Sequence, residues 1–455
     1  MKNRMSKSIL FILLVFSILC IHCGGDKNPV APANEFDGIW RSEGYGYIFE
    51  IDGSQFTWYE ETSESLIEFT EAALNGDKVT VTASTFIGDF TITLTFSLSG
   101  DKLTVDFSYP YPPKSITFNR IASLPALTRD TRDPEITFEI LWQTFEENYA
   151  FFELRNVDWN AQYQTFRPQV NPNTTDAELF DIMAAMLMPF DEDHVTLTNG
   201  MGRWVNPGPD HPLEDRVQEI FQIIVGKYLN GNFSLEANDK FLYGKLTDKI
   251  GYLNILAMQE FSPSFNDFSA QQSALESGLD KIIQEFKDLD ALVIDVRFND
   301  GGYADFSRMI TSRFADQKRL VYSKQARYGG YNDFLPLLNF YVEPAGALQF
   351  TKKIVLLTSG FTASAAEEFT LSLMPYPYVT RIGEPTNGIF SDQLLRKLPN
   401  GWGFFLSNER YFSHEGVNYE KIGIPPDIEI FMSEADLAAG KDSILDAALQ
   451  LLQGN

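Results

Sequence analysis

The sequence predicts an α/β protein whose core follows a helical segment and an N-terminal antiparallel β domain. Residues 36–120 alternate apolar and polar positions with period two, as in "VTVTAST" and "DFTITLTFSLSGDKLTVDFSY", which is typical of half-buried strands. From about residue 250 onward, strand and helix patterns follow one another, which favours a largely parallel sheet covered by helices. The 455 residues are 44% hydrophobic and 14% aromatic, so such cores can be filled and global disorder is disfavoured.

The first 22 residues have the features of a signal peptide. Basic residues come first, an apolar run from Ile9 to Leu19 follows, and Cys20 and Cys23 stand at its end. The run is too short for a comfortable membrane-spanning helix. We therefore expect an exported protein, with plain secretion or an uncleaved anchor as alternatives to lipid attachment.

The stretch "CGGDKNPVAPANE", residues 23–35, has the composition of a flexible tether. The arrangement resembles a bacterial lipoprotein with Cys23 as the lipidated residue. Cys20 is the alternative, because "CIH" before Cys23 departs from the usual small residues. With both cysteines here, we expect neither a disulfide framework nor a cysteine metal site. The formal net charge of −26 disfavours nucleic acid and anionic lipid headgroups as partners.

Turn sequences divide residues 36–120 into hairpins. "DG", "NG" and "SGD" occupy residues 52–53, 75–76 and 99–101, and such pairs favour tight β-turns. The predicted closure is a small antiparallel barrel or a sandwich, and "GIW" at residues 38–40 resembles the opening of lipocalin-type barrels. These residues leave open whether the domain is a structural spacer or binds a ligand.

After a linker over residues 121–134, residues 134–200 are predicted to form a helical subdomain. Asp133 caps the first helix, and Thr175 with Glu178 forms a capping box for another. "FDEDHVTLTNG", which ends this part, is interpreted as a polar turn leading into a short strand.

Residues 201–250 are predicted to be a connecting segment, in which "EDRVQEIFQIIVGKYL" is either a helix or a pair of strands. Residues 251–455 are predicted to form the α/β core. Its strands are expected in "IGYLNILAM", "ALVIDVRF", "KIVLLTS" and "VTRIGEP". Its helices are expected near 270–287, near 303–315, after Ser364 and in "GKDSILDAALQLL".

The stretch "TSGFTASAAEEF" contains a serine with two interpretations. Ser364 and Glu367 fit a capping box, the ordinary way to begin a helix. Ser364 also stands between a buried strand and a helix, at the sheet edge where open α/β sheets place their sites. There the backbone N–H of Ala365 can form half of an oxyanion hole. The turn Gly301-Gly302 after "ALVIDVRF" can supply the other half, because glycine permits a close backbone approach.

Four motifs carry a family resemblance: "ALVIDVRFNDGG", "TASAAEEF", "RIGEPTNG" and "EKIGIPPDIEI". In this order and spacing they resemble the tail-specific processing peptidases and their tricorn-core and retinoid-binding-protein relatives. "VDWNAQYQTFRP" and "LMPFDEDHVTL" resemble the segment before the catalytic core in the tricorn-like branch. The resemblance runs from about residue 134 to 452 and implies a crotonase-like α/β core. It implies that Ser364 is the nucleophile and that Ala365 with Gly301 or Gly302 holds the oxyanion. Many relatives carry a PDZ domain, but the roughly fifty residues between "TLTNG" and "IGYLNI" are too few for one.

The resemblance also suggests where the base lies. In the processing-peptidase branch a lysine follows the E-P-T motif, but Ile389 occupies that position here, so the Ser–Lys dyad is missing. Lys397 is a poor substitute. The tricorn-like branch uses a histidine, which matches His194, and His414 is the rival. An imidazole titrates near neutral pH and suits general-base work.

Two acids have implied orienting roles beside the histidine. Glu420, just before "GIPPD", occupies the place from which the branch contributes an acid. Asp193 stands where tricorn-like enzymes carry a serine, which is a departure from the pattern. A calcium loop formed by Asp191, Glu192 and Asp193 is disfavoured because the alternating ligand spacing is lacking.

Together these features predict a serine peptidase of the cell envelope that acts on a peptide or protein substrate. The resemblance implies no metal and no cofactor. The alternative is a catalytically inactive peptidase-fold protein that holds an apolar or peptide ligand. The sequence leaves the oligomeric state and the substrate open.

Overall fold

A computed structural model describes residues 34–85, 88–108, 114–126, 132–208 and 216–454. The expected signal peptide and most of the tether, with both cysteines, lie outside these ranges. Within them, none of the helices combines the length and apolar character needed to cross a bilayer.

Eight antiparallel strands form a closed up-and-down barrel, because β1 pairs with both β2 and β8. The strands are β1 (Gly38–Ser42), β2 (Tyr47–Asp52), β3 (Gln55–Glu61), β4 (Leu66–Asn75), β5 (Lys78–Thr85), β6 (Gly88–Ser99), β7 (Lys102–Ser108) and β8 (Lys114–Ile121). Of the two predicted closures, the barrel is therefore the one found.

Aromatic side chains fill the barrel interior. The Phe49 ring centroid lies 4.4 Å from that of Phe118, 4.9 Å from that of Phe56 and 5.3 Å from that of Trp58. An eight-stranded barrel is just wide enough for its own side chains to fill. These rings occupy the space that a ligand would need, which disfavours the interior as a binding cup.

A helical layer follows the barrel and shares its hydrophobic core. The elements are α1 (Pro134–Asn148), α2 (Phe152–Arg155), α3 (Trp159–Phe166), α4 (Asp176–Leu187), β9 (Thr196–Thr198) and β10 (Trp204–Val205). The predicted caps are present: Asp133 accepts backbone N–H groups of α1, and Thr175 with Glu178 forms a capping box at α4. One continuous core runs from the barrel rings through Phe145 and Phe180 to Phe404.

The described part of the undecided stretch is helical, with α5 (Val217–Ile223) followed by a π-helical turn (Ile224–Tyr228). After it comes the hairpin of β11 (Phe233–Glu236) and β12 (Phe241–Lys245). This hairpin extends the central sheet.

A seven-stranded sheet forms the α/β core, in the order β11-β12-β13-β14-β17-β18-β22. Its further elements are β13 (Ile250–Ile255), α6 (Phe268–Phe286), β14 (Ala291–Asp295), α7 (Ala304–Ser312), β17 (Lys353–Thr358), α8 (Ala365–Leu373), β18 (Val379–Gly383), β22 (Ile428–Glu429), α9 (Glu434–Ala438) and α10 (Ser443–Gln453). The five strands from β13 to β22 are parallel, as the alternating pattern predicts.

Five further strands of the core were not predicted. They are β15 (Arg319–Ala326), β16 (Leu338–Val342), β19 (Gln393–Lys397), β20 (Gly403–Ser407) and β21 (Glu409–Ser413). Strands β16, β15 and β21 form one antiparallel sheet, and β10, β9, β20 and β19 form another. The second sheet joins the helical layer to the core and brings residues before β9 close to residues before β19.

Candidate active site

Ser364 occupies a strained turn at the carboxyl edge of the central sheet. It lies between β17 and α8 with φ 54° and ψ −123°, a conformation that side-chain-bearing residues rarely adopt. The Ala366 N–H donates to the Ala363 carbonyl at 3.0 Å, so Ser364 takes the first central position of a type II′ turn, which usually holds glycine. Such strain persists only where the surroundings hold it in place.

The predicted capping box is also present at this turn. The Ser364 N–H donates to the Glu367 carboxylate at 3.1 Å. Yet the capping residues Thr175 and Ser433 have extended backbones, with φ −74° and −107°. The backbone of Ser364 is therefore unlike that of an ordinary capping residue, although the residue does cap its helix.

The Gly301-Gly302 turn packs directly against Ser364. Strands β14 and β17 are parallel neighbours, so the turns at their carboxyl ends meet. Gly301 has φ 110°, and a Cβ placed on it would lie 2.8 Å from Ser364 Cβ and 2.9 Å from the Ala363 carbonyl oxygen. Only glycine fits here, because a methyl group would overlap the serine turn.

The two predicted glycine donors differ in availability. The Gly301 N–H donates to Asn299 Oδ1 at 2.9 Å. The N–H groups of Gly302 and Ala365 have no acceptor within the part of the chain that the structure describes. Of the alternatives left open by the sequence, Gly302 therefore has the free amide.

His194 lies just before β9 and is buried, with 6% of its surface exposed. It makes a backbone hydrogen bond with Ser391, and its Nδ1 is buried without a hydrogen-bond partner. Burial lowers the pKa of His194 to about 4, and Arg155 also lowers it, whereas Ser391 and Asp392 oppose the shift. The imidazole is therefore neutral at pH 7 and has a nitrogen lone pair available.

His194 contacts the loop between β18 and β19 directly, Ser364 is linked to it through Glu367, and the two residues make no hydrogen bond to each other among the described residues. On the serine side, Glu367 accepts the N–H groups of Gly388 at 2.7 Å and Ile389 at 2.8 Å. Two residues later, Ser391 bonds His194. Two residues span at most about 7 Å, so this loop links Glu367, which accepts the Ser364 N–H, to His194 over a short path.

Glu420 is bound to the same loop rather than to the imidazole. Its carboxylate accepts the Phe390 N–H at 3.0 Å and Arg155 Nη2 at 3.2 Å. Burial raises the pKa of Glu420 well above its usual range, and Glu192 adds to the rise. Glu420 therefore contacts the loop and Arg155, and the described hydrogen bonds include none between Glu420 and His194.

Asp193 points toward a different neighbour. Its carboxylate accepts from Asn387 Nδ2 at 3.3 Å, and its carbonyl accepts from Asn206 at 2.8 Å. Gly208 packs against this carboxylate, since a Cβ there would overlap Asp193 Oδ1. Asp193 thereby anchors the segment after β10 to the loop next to Ser364.

Sequence reasoning missed a buried arginine and its partner. Arg155 donates to the Asp191 carbonyl at 2.6 Å and lies 3.7 Å from Glu192, in addition to its contact with Glu420. Glu192 also accepts hydrogen bonds from Tyr149 and Ser407. The only signal in the sequence was the run of acids before His194, because nothing marked Arg155 as their partner.

The rival bases lie elsewhere. Lys397 places its ammonium group over the Phe69 ring of the barrel, 4.9 Å from the centroid. His414 follows β21 and has its Nε2 4.0 Å from Glu415. Ile389 is buried and presents its N–H to Glu367. In the described ranges, no set of three or more His, Cys, Asp or Glu side chains is arranged to hold a metal ion.

Comparison with known proteins finds two segments of this chain that match protease families. Residues 249–430 match the profile of peptidase family S41, and residues 131–188 match the tricorn protease C1 domain. These two matches support the tail-specific protease family for this chain. The region of this chain that matches family S41 contains Ser364, the Gly301-Gly302 turn and Glu420.

Two curated relatives illustrate the similarity. A carboxy-terminal-processing protease of Bartonella bacilliformis is 26% identical over 224 residues, which are 49% of this chain and 45% of that protein. The tricorn protease of Thermoplasma acidophilum is 25% identical over 225 residues, which are 48% of this chain and 18% of that protein. The matched region thus spans less than half the length of either relative.

Solved structures show the same fold. A candidate peptidase from Parabacteroides merdae ATCC 43184 has a TM-score of 0.61 and 28% identity, covering 71% of this chain and 97% of its own. Mature CPAF complexed with lactacystin has a TM-score of 0.55 and 12% identity, covering 71% of this chain and 99% of its own. The second likeness concerns the fold alone.

Proposed function

We propose that this chain is a serine peptidase that hydrolyses peptide bonds at Ser364 with His194 as the base. The observation that carries the proposal is the strained backbone of Ser364, with Gly301 packed against it and the N–H groups of Ala365 and Gly302 without acceptors. An ordinary helix cap requires none of these features. The S41 match and the curated protease relatives support the same reaction.

In the proposed mechanism, Ser364 Oγ attacks the scissile carbonyl carbon while His194 accepts its proton. The N–H groups of Ala365 and Gly302 stabilise the oxyanion that forms. Because the fold fixes these donors in advance, they need no reorganisation during the reaction. His194 then protonates the leaving amine, and a water molecule hydrolyses the acyl-enzyme by the same route.

This mechanism requires a hydrogen bond between Ser364 and His194 that forms once substrate is bound. His194 makes no hydrogen bond to Ser364 in the free protein, and catalytic hydrogen bonds often tighten only once substrate is bound. Positive charge on His194 is favoured by Asp392 and opposed by Arg155. Glu420 acts on this balance through Arg155 and through the loop that it holds at Phe390.

The direct test is hydrolysis of a peptide library by full-chain variants. Ser364→Ala is expected to abolish hydrolysis, and His194→Asn to lower kcat by roughly 10³-fold or more. Ser433→Ala is the matched control, because Ser433 also forms a capping box, with Asp436. It should lower stability by about 1 kcal/mol and leave activity unchanged. Full activity in Ser364→Ala would refute the proposal and favour a ligand-binding protein on a peptidase fold.

We further propose an exported, lipid-anchored protein with a crotonase-like core, which places the peptidase at the cell envelope. The proposal rests on the basic and apolar N-terminal pattern that ends at Cys23. Metabolic labelling with a clickable palmitate should mark the wild-type chain and not Cys23→Ala. Equal labelling of that variant would assign the lipid to Cys20 or another position.

A further inference from the structure

A buried network of charged and hydroxyl groups runs from the barrel to the loop that contacts His194. We propose that the barrel contributes a positioning residue, Tyr45, to the active site. In this proposal Tyr45 is a positioning residue that controls, through Glu409 and Lys324, how Asp392 acts on His194. The inference rests on the proposed function for its catalytic meaning, but the coupling itself can be measured without hydrolysis.

The network begins at Tyr45, in the turn between β1 and β2 of the barrel. Tyr45 is buried in the left-handed region with φ 62°, and its hydroxyl donates to Glu409 Oε1 at 2.6 Å. Its backbone carbonyl accepts a hydrogen bond from Arg396 of β19. A strained, doubly held residue that inserts into another domain fixes the position of its partner.

At the middle of the network, one lysine lies between two carboxylates. Lys324 on β15 lies 2.9 Å from Glu409 Oε2 and 2.7 Å from Asp392 Oδ2. Tyr411 donates its hydroxyl to Asp392 Oδ1 at 2.8 Å and lies 3.1 Å from Lys324 Nζ. Burial opposes the charge on Lys324, yet Asp392 and Glu409 raise its pKa, so the lysine stays protonated. Lys324 is therefore in contact with two anions, and Glu368 of α8 also raises its pKa.

The network ends at Ser391 and Asp392, in the loop before β19. The Glu409 N–H donates to Ser391 Oγ at 3.0 Å, and the Ser391 backbone bonds His194. Asp392 attracts positive charge on His194, whereas Arg155 repels it. These are the charged groups that act on the imidazole from the elements packed around it.

Because Glu409 and Asp392 share Lys324, a change at Tyr45 alters the charge balance at Asp392. The Tyr45 hydroxyl stabilises the charge on Glu409, which leaves more of Lys324 for Asp392. Without that hydroxyl, Glu409 draws Lys324 toward itself, and Asp392 acts on His194 with more of its negative charge. Buried hydrogen bonds and ion pairs of this kind are strongly coupled because the surrounding dielectric constant is low.

The test is a titration of the His194 imidazole by nitrogen-resolved NMR in the full chain, with His194→Asn used for assignment. Tyr45→Phe is expected to move the titration midpoint upward by about half a pH unit, a threefold change in proton affinity. Glu409→Gln is expected to move the midpoint downward, because Lys324 then no longer shares its charge with Glu409 and neutralises Asp392 more fully. The acid limb of kcat/KM should follow each midpoint.

Tyr59→Phe is the control. Its hydroxyl bonds Glu50 at 3.1 Å within the barrel, so loss of that bond should leave the imidazole midpoint unchanged. Opposite shifts in Tyr45→Phe and Glu409→Gln would support the coupling even if the wild type hydrolyses nothing, in which case only the proposed function fails. An unchanged midpoint in both variants of an active enzyme would overturn the coupling and leave the proposed function standing.

Discussion

At the scale of single residues, the site depends on backbone conformations and burial more than on direct side-chain contacts. Ser364 combines a capping contact with a turn conformation that glycine usually takes. The sequence showed the capping contact, because S-x-x-E is a local pattern. It could not show the positive φ, which depends on how the Gly301-Gly302 turn packs against the serine.

His194 should make stability depend on pH. Its folded-state pKa is lowered to about 4, whereas an unfolded histidine titrates near 6.5. As pH falls below about 6.5 the unfolded state gains a proton that the folded state does not, so stability is lost down to about pH 4 and then levels off.

Urea unfolding of wild type and His194→Asn at about pH 7 and pH 4.5 measures this effect. The wild type should lose roughly 2–3 kcal/mol more than the variant over this interval. Glu367, whose pKa burial raises to about 7, has the opposite dependence and cancels in the comparison. Equal losses would show that His194 is not held neutral in the folded protein.

At the scale of elements, parallel strand order explains why predicted residues meet. The turns after β14 and β17 are adjacent because these strands are parallel neighbours. The pairing of β9, β20 and β19 brings the starts of β9 and β19 to one edge, which places His194 beside Ser391. The first relation follows from strand alternation in the sequence. The second could not be predicted, because it needs two antiparallel pairings between distant segments.

Gly301→Ala should disable the site through the packing of these turns. Its Cβ would lie 2.8 Å from Ser364 Cβ, at a φ of 110° that alanine rarely adopts. We expect a loss of kcat/KM of about 100-fold or more, since small displacements at a reacting group are costly.

Gly401→Ala is the matched control for this substitution. Gly401 also has positive φ, 89°, but a Cβ there would meet nothing within 4 Å. Its peptide hydrolysis should stay at the wild-type level. A fully active Gly301→Ala enzyme would show that the close approach to Ser364 is not needed for catalysis.

At the scale of the whole molecule, the barrel and the helical layer share one core. Period-two alternation predicted the barrel strands well. Its attachment to the peptidase could not be predicted, because Tyr45 and Glu60 of the barrel find partners 364 and 337 positions away. Sequence periodicity indicates which positions are buried but not which buried charges pair, and buried arginines and lysines require such partners.

The shared core predicts that the barrel and helices α1 and α4 open together. Phe49→Ala removes a ring packed against several others and should destabilise by about 3–5 kcal/mol. Hydrogen exchange followed by mass spectrometry should show equal losses of protection in the barrel strands and in these helices. The exposed Leu98→Ala serves as control and should change neither. Loss of protection confined to the barrel would indicate an independent domain.

The central claim is that Ser364 is an activated nucleophile, and covalent labelling tests it most directly. Full-chain protein is treated with a fluorophosphonate, digested, and mapped by mass spectrometry. We predict a single adduct on the peptide containing Ser364, absent in Ser364→Ala and strongly reduced in His194→Asn. An unlabelled Ser364 in folded wild-type protein would contradict the account and leave a helix-capping serine in a strained turn.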